Sequence, residues 1–126
     1  MLAVDYLILN RDRHGANIEV LKNSRTRKIR IAPLFDHGLT FLFGCRTKED
    51  IAQFDIMKDR MCQNFIGGRS TLENLELIEN KDIFTGKLTE ASKQIIFADL
   101  ASAIPTELID KTWDMLYARW YYYESL

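Results

Sequence analysis

The sequence predicts an α+β fold, mainly α, in which a short β-hairpin is followed by about four helices. Two observations carry most of that expectation. Apolar, β-branched segments at Ile18 to Leu21 and Ile29 to Leu34 flank a polar, basic turn, which is a hairpin signal. Beyond residue 45, apolar residues recur at helical spacing behind successive cap residues. A hydrophobic content of 47% with 28% charged residues is that of a globular chain, so disorder is not expected. At 126 residues a single domain is expected, 1–44 carrying a helix, a polar loop, the hairpin and a turn, and 45–126 the helical part.

Leu2 to Leu9 is almost continuously apolar, with Asp5 its only charge. Leu2, Tyr6 and Leu9 share a stripe at helical spacing, which predicts a helix buried on most sides. Arg11 to Asn17 is a polar loop broken by Gly15. The first strand follows at Ile18 to Leu21 and a solvated turn spans Lys22 to Lys28. The second strand runs over Ile29 to Leu34, with Pro33 near its end, where no ladder donor is required. Asp36-His37-Gly38 closes the hairpin, Gly38 being free to take the positive φ of a tight turn.

Thr47 to Asp50 resembles a capping box and predicts a helix to about Met61, burying Ile51, Phe54 and either Met57 or the stem of Lys58. Asn64 to Gly68 reads as a loop with an exposed Phe65-Ile66. Ser70 or Thr71 caps a helix through Leu72, Leu75 and Ile78, ending near Asn80. Thr89 caps a helix carrying Ile95, Ile96, Leu100 and Ala103 or Ile104, and Pro105 stops it. The last helix starts at Thr106, with Leu108, Thr112, Leu116 and Trp120 on one stripe and Ile109, Trp113 and Tyr117 beside it.

A net charge of −1 argues against a chain whose main task is covering nucleic-acid phosphates. Arg25, Arg27, Lys28 and Arg30 make a local basic patch, most simply a solvated hairpin tip. Cys45 and Cys62 are far apart without CxxC spacing, so neither a disulfide framework nor a zinc site is expected. No apolar run approaches the roughly 20 residues of a bilayer span, and the start lacks the basic flank and cleavage site of a secretion signal. The expectation is a cytoplasmic protein with no membrane partner.

The polar residues concentrate at the two ends of the hairpin. Asp12 and Asn17 stand five residues apart before it, and Asp36 arrives just after it, ahead of a glycine. Phosphoryl transfer needs a carboxylate that orients the attacking hydroxyl and oxygen ligands for Mg²⁺ on the phosphates. Magnesium keeps several waters, so two protein ligands suffice. Asp, Asn, Gly and His are also turn formers, and either cluster alone would read as a turn. Their order around one hairpin favours the chemical reading. For His14 and His37 a hydrogen-bonding structural role comes first.

Asn10-Arg-Asp12-Arg-His14-Gly-Ala-Asn17 with Ala32-Pro-Leu-Phe-Asp36-His-Gly38 resembles the HipA-like and CtkA-like serine/threonine kinases of bacteria. More remotely it looks like the phosphoinositide kinases, whose catalytic loop also reads Asp-Arg-His-x-x-Asn. The resemblance implies the C-terminal lobe of a protein-kinase-like fold, with Asp12 as catalytic aspartate and Arg13 and His14 holding the loop. It implies Asn17 and Asp36 as Mg²⁺ ligands, Gly38 in the metal-binding turn, ATP as phosphate donor and a protein Ser/Thr hydroxyl as acceptor. His37 replaces the phenylalanine of the usual Asp-Phe-Gly triplet. No glycine-rich phosphate loop or strand lysine precedes residue 10, and Gly67-Gly68 comes after the metal motif. The expectation is therefore a lobe that needs an N-lobe in cis or in trans, weakly active or inactive alone. The alternatives are an interaction module that self-associates or pairs with another chain, and a regulatory, DNA-associated protein of a toxin–antitoxin or mobile-element context.

Overall fold

A computed structural model describes residues 1–126. The elements, in order, are α1 (Leu2–Leu7), β1 (Asp12–Arg13), a 3-10 turn (Gly15–Asn17), β2 (Val20–Lys22), β3 (Ile29–Ile31), α2 (Lys48–Gln53), β4 (Gln63–Asn64), α3 (Thr71–Glu76), α4 (Glu90–Phe97) and α5 (Thr106–Glu124). Helix accounts for 38% of residues and strand for 10%, so the class is α+β and mainly helical. No helix is long and apolar enough to cross a membrane. The chain forms two compact units, Met1–Thr40 with Asp59–Leu77, and Phe41–Lys58 with Ile78–Leu126.

In the first unit α1 packs on α3, burying Ala3, Tyr6, Leu7, Leu9 and Leu75. Leu2 is only half-buried, so the buried stripe is turned toward Ala3 relative to the expected one. Leu9 ends the helix at φ 54°, a conformation costly for a side chain of this size. β2 and β3 are antiparallel, with Val20 opposite Ile31, Leu21 opposite Arg30 and Lys22 opposite Ile29. Both strands differ from the expected bounds. The first starts at Val20 because Ile18 still bonds back to Gly15 O from the 3-10 turn, and the second stops at Ile31, ahead of Pro33. Asn23 builds the hairpin turn by accepting the Arg25 and Thr26 N–H groups on its Oδ1.

Residues 63–64 are not simply loop. They form β4, parallel to β1, with the Gln63 and Phe65 N–H groups donating to Arg11 O and Arg13 O (2.9 and 2.8 Å). Gly67 takes φ +115° and runs so close to α3 that a Cβ there would lie 2.1 Å from Asn74 Oδ1. Glycine is required at that point, since Asn74 Oδ1 accepts the Gly68 N–H (2.6 Å). The glycine pair thus seats the loop on α3. Ser70 caps α3 by accepting the Glu73 N–H. The helix ends at Glu76, one turn short of Asn80.

Asp59 makes a second, carboxylate cap for the same helix start, accepting the Thr71 hydroxyl and the Leu72 N–H. Burial pushes its pKa up, but these bonds, with those from Ser70 and the Arg60 N–H, outweigh burial and hold it below the ordinary aspartate value. A folded-state pKa below the unfolded one means stability present above about pH 4 and lost as pH falls through the folded value. Acid titration of thermal stability should therefore steepen below pH 4 in the native chain. Asp59→Asn should flatten that slope, and an unchanged slope would remove Asp59 from the account.

In the second unit Thr47 closes a full capping box with Asp50. α2 nevertheless stops at Gln53 instead of reaching Met61. Asp55 Oδ1 accepts the Met57 and Lys58 N–H groups and turns the chain out of the helix. Met57 is exposed, and Ile51 and Phe54 only half-buried. α5 follows Pro105 and buries Ile109, Thr112, Trp113, Leu116, Trp120 and Tyr123. Leu108 is half-buried and Tyr117 exposed, so the stripe is rotated from the expected one. Arg119 is also buried, donating to Ile56 O and Lys58 O.

Candidate functional site

The two polar clusters belong to the first unit and are tied together by Arg13. Its side chain is fully buried, and Nη2 and Nε bond the Asp5 carboxylate of α1, the shortest contact being 2.8 Å. Nη1 donates to Asn17 O (3.1 Å) and to Phe35 O (2.8 Å). Nη2 also donates to His37 Nδ1 (3.2 Å). A guanidinium carries its donors in a fixed planar fork, so these bonds cannot be moved independently. One side chain thus holds the end of the Asp12–Asn17 loop and the backbone before Asp36 within two hydrogen-bond lengths of each other.

Arginine is always a donor, so His37 Nδ1 must present its lone pair to it. Asp5 is held in turn by Asn10, whose Nδ2 donates to Oδ1 (2.9 Å) and whose own Oδ1 accepts the Asp12 N–H (3.1 Å). A lone carboxylate inside an apolar helix must find a cation or be neutralised. That demand was the available signal for Asp5, which motif spacing alone does not single out.

Asp12 sits in β1 and its side chain is partly exposed. His14 caps the 3-10 turn, its Nδ1 accepting the Ala16 N–H (3.2 Å), which leaves Nε2 to carry the ring proton. That nitrogen lies 3.6 Å from Asp12 Oδ1. His14 therefore faces the carboxylate while it shapes the loop. Asn17 is buried and donates from Nδ2 to Asp12 O (3.0 Å), leaving Oδ1 as its remaining acceptor. Its amide closes the loop from Asp12 to Asn17.

Asp36 is exposed and takes φ 52°. The positive φ expected at Gly38 is thus two residues earlier, at an aspartate. Aspartate tolerates this region better than most side chains. Gly38 needs no such conformation; a Cβ there would meet Asp36 Oδ1 at 3.6 Å, an ordinary contact. The Thr40 hydroxyl donates to His37 O (2.8 Å) and steadies the turn from its far side.

The divalent ion implied by the resemblance calls for two hard oxygens, Asn17 Oδ1 and the Asp36 carboxylate, of which Asn17 is buried and Asp36 exposed. Three or more His, Cys, Asp or Glu groups nowhere converge into a cage.

Phe65 lies beside the loop, its ring against Gly15, where a Cβ would meet Cδ2 at 3.1 Å. Its register is set by β4. Cys62 accepts a contact from Asn74 Nδ2 (3.3 Å), and burial pushes its thiol pKa up, which makes it a poor nucleophile. No protein-family model, curated protein or solved structure matches the chain.

Proposed function

We propose that this chain carries the catalytic loop and magnesium–nucleotide corner of an ATP-dependent serine/threonine protein kinase, as a C-terminal lobe. The observation that carries this reading is Arg13, whose single guanidinium gathers the Asp12–Asn17 loop and the turn before Asp36. A pair of unrelated surface turns has no need of a buried ion pair to bring them together. The metal, when bound, would neutralise charge on the ATP phosphates, and Asn17 and Asp36 would hold it. Asp12 orients the substrate hydroxyl and accepts its proton. His14 holds that carboxylate in place.

The phosphate cover and the strand lysine of such a kinase would come from an N-lobe, in cis or in trans. The 126 residues alone are expected to bind nucleotide weakly and to leave phosphotransfer at background. Equilibrium binding of a fluorescent ATP analogue, with and without Mg²⁺, tests the site. Asp36→Asn and Asn17→Ala should each weaken the Mg²⁺-dependent component about tenfold or more, the scale of disturbing a metal's ligand shell. Binding indifferent to Mg²⁺ and to both substitutions would sink the assignment.

A further inference from the structure

The β2–β3 hairpin presents features that the phosphotransfer reading does not use. Its sheet has two strands only, so each outer edge lacks a neighbour. Val20, Ile29 and Ile31 are 66%, 66% and 54% exposed, although directly opposed residues put all three on one face. An isolated two-stranded hairpin is marginal in water, and the apolar face of its Val20–Ile31 cross-strand pair is left uncovered. Between Glu19 and Asp36 the chain has five cations, Lys22, Arg25, Arg27, Lys28 and Arg30, and no anion. None of the five is ion-paired.

The backbone defines how a partner would fit. The Ala32 N–H donates to Glu19 O and the Asn23 N–H to Lys28 O, so residues 19/32, 21/30 and 23/28 are the inward-bonded pairs. Alternation then turns the N–H and C=O groups of Ile29 and Ile31 to the open edge of β3. Along that edge Lys28-Ile29-Arg30-Ile31 alternates strictly, with the isoleucines on one face and the cations on the other. An open groove of ≈ 420 Å³ borders the strand, lined by Met1, Arg30, Ile31, Ala32, Pro33 and Leu34.

We propose that the β3 edge docks an extended segment of a partner polypeptide whose residues alternate acidic and aliphatic. Strand addition would pair its backbone with the outward groups of Ile29 and Ile31. Its aliphatic side chains would cover the two isoleucines, and its carboxylates would stand opposite Lys28 and Arg30. The chemistry disfavours the other occupants. Nucleic acid would gain from the cations, but the hairpin offers no aromatic for bases to stack on. A second copy of the same strand would set Lys28 and Arg30 against like charges. An anionic lipid surface leaves the outward backbone groups of β3 without partners.

The probe is a fluorescein-labelled peptide of alternating glutamate and valine, measured by anisotropy against the full chain. Its controls are a peptide of equal composition with the glutamates grouped, and one with lysine for glutamate. The alternating peptide should bind, the controls should not, and amide exchange should slow at Ile29 and Ile31. Ile31→Pro removes an outward donor and should weaken binding about tenfold, because an edge without its N–H cannot complete the ladder. Should that variant not fold, Arg30→Glu with Lys28→Glu decides independently, by losing the glutamate peptide and gaining the lysine peptide. No binding, or binding that ignores peptide pattern and charge reversal, overturns the proposal. So does preferential capture by duplex DNA or phosphatidylserine vesicles, or a concentration-dependent dimer that protects the same amides.

Discussion

Asp5→Ala is expected to destabilise the protein by about 3–5 kcal/mol, the usual cost of stranding one member of a buried ion pair. The Arg13 side chain is wholly buried and Asp5 is 3% exposed, so water cannot replace the lost carboxylate. Asn10 Nδ2 would lose its acceptor as well. Because the same guanidinium bonds Asn17 O, Phe35 O and His37, the loop and the turn should loosen together. Urea denaturation by far-UV circular dichroism reads the first effect. Amide exchange at Asn17, His37 and Phe65 reads the second.

A paired replacement, Asp5→Leu with Arg13→Met, separates pairing from burial. It removes both charges and should recover much of the lost stability, since apolar residues of similar volume often match a buried pair. It should not recover Mg²⁺-dependent nucleotide binding, because nothing would then tie Asn17 to the turn before Asp36. If the double variant bound nucleotide as the native chain does, Arg13 would be structural only. If Asp5→Ala cost less than about 1 kcal/mol, the pair would have no place at the centre of the unit.

Trp120→Ala should cost a similar amount, about 3–5 kcal/mol, through loss of buried area and the cavity left behind. Trp120 is 7% exposed and its ring centroid lies 5.1 Å from Phe84 and 6.3 Å from Tyr123. Phe84 also meets Tyr123 edge-on at 5.5 Å, and the Tyr123 hydroxyl donates to Lys81 O. This cluster fastens residues 81–84, which have no helix or strand of their own, to α5. Phe84→Ala and Trp120→Ala should therefore combine less than additively, with a coupling of about 0.5–1.5 kcal/mol. Trp113 remains as the fluorescent reporter in both variants. Strict additivity would mean the rings are neighbours without an energetic link.

The local signals in the sequence were reliable where a cap residue meets the first N–H groups of its own helix. Thr47 with Asp50, and Ser70 with Glu73, satisfy helix N–H groups three residues away, and both caps form as read. Thr89 likewise opens α4, its N–H donating to Ser92 Oγ. Pro105 marks the start of α5 because a proline suits the entry to a helix and cannot continue one. The hairpin was legible for the same reason, from β-branched runs on either side of a turn that Asn23 closes. Helix ends were less legible. α2 stops at Gln53 through Asp55, a side-chain competition that apolar periodicity does not register.

The sequence by itself determined the class of fold, the helix starts, the hairpin and the candidate polar residues at its two ends. Tertiary structure alone decided what joins them. β1 and β4 are about fifty residues apart in the chain, too short to be read as strands, and exist only because each completes the other's backbone bonds. Asp5, Arg13, Asn17 and His37 lie on separate local elements, and only burial makes their charges and lone pairs answer one another. Arg119 finds its carbonyls at Ile56 and Lys58 in the same way. Caps and turns are written within a few residues, whereas the partner of a buried charge is fixed by which surfaces exclude water.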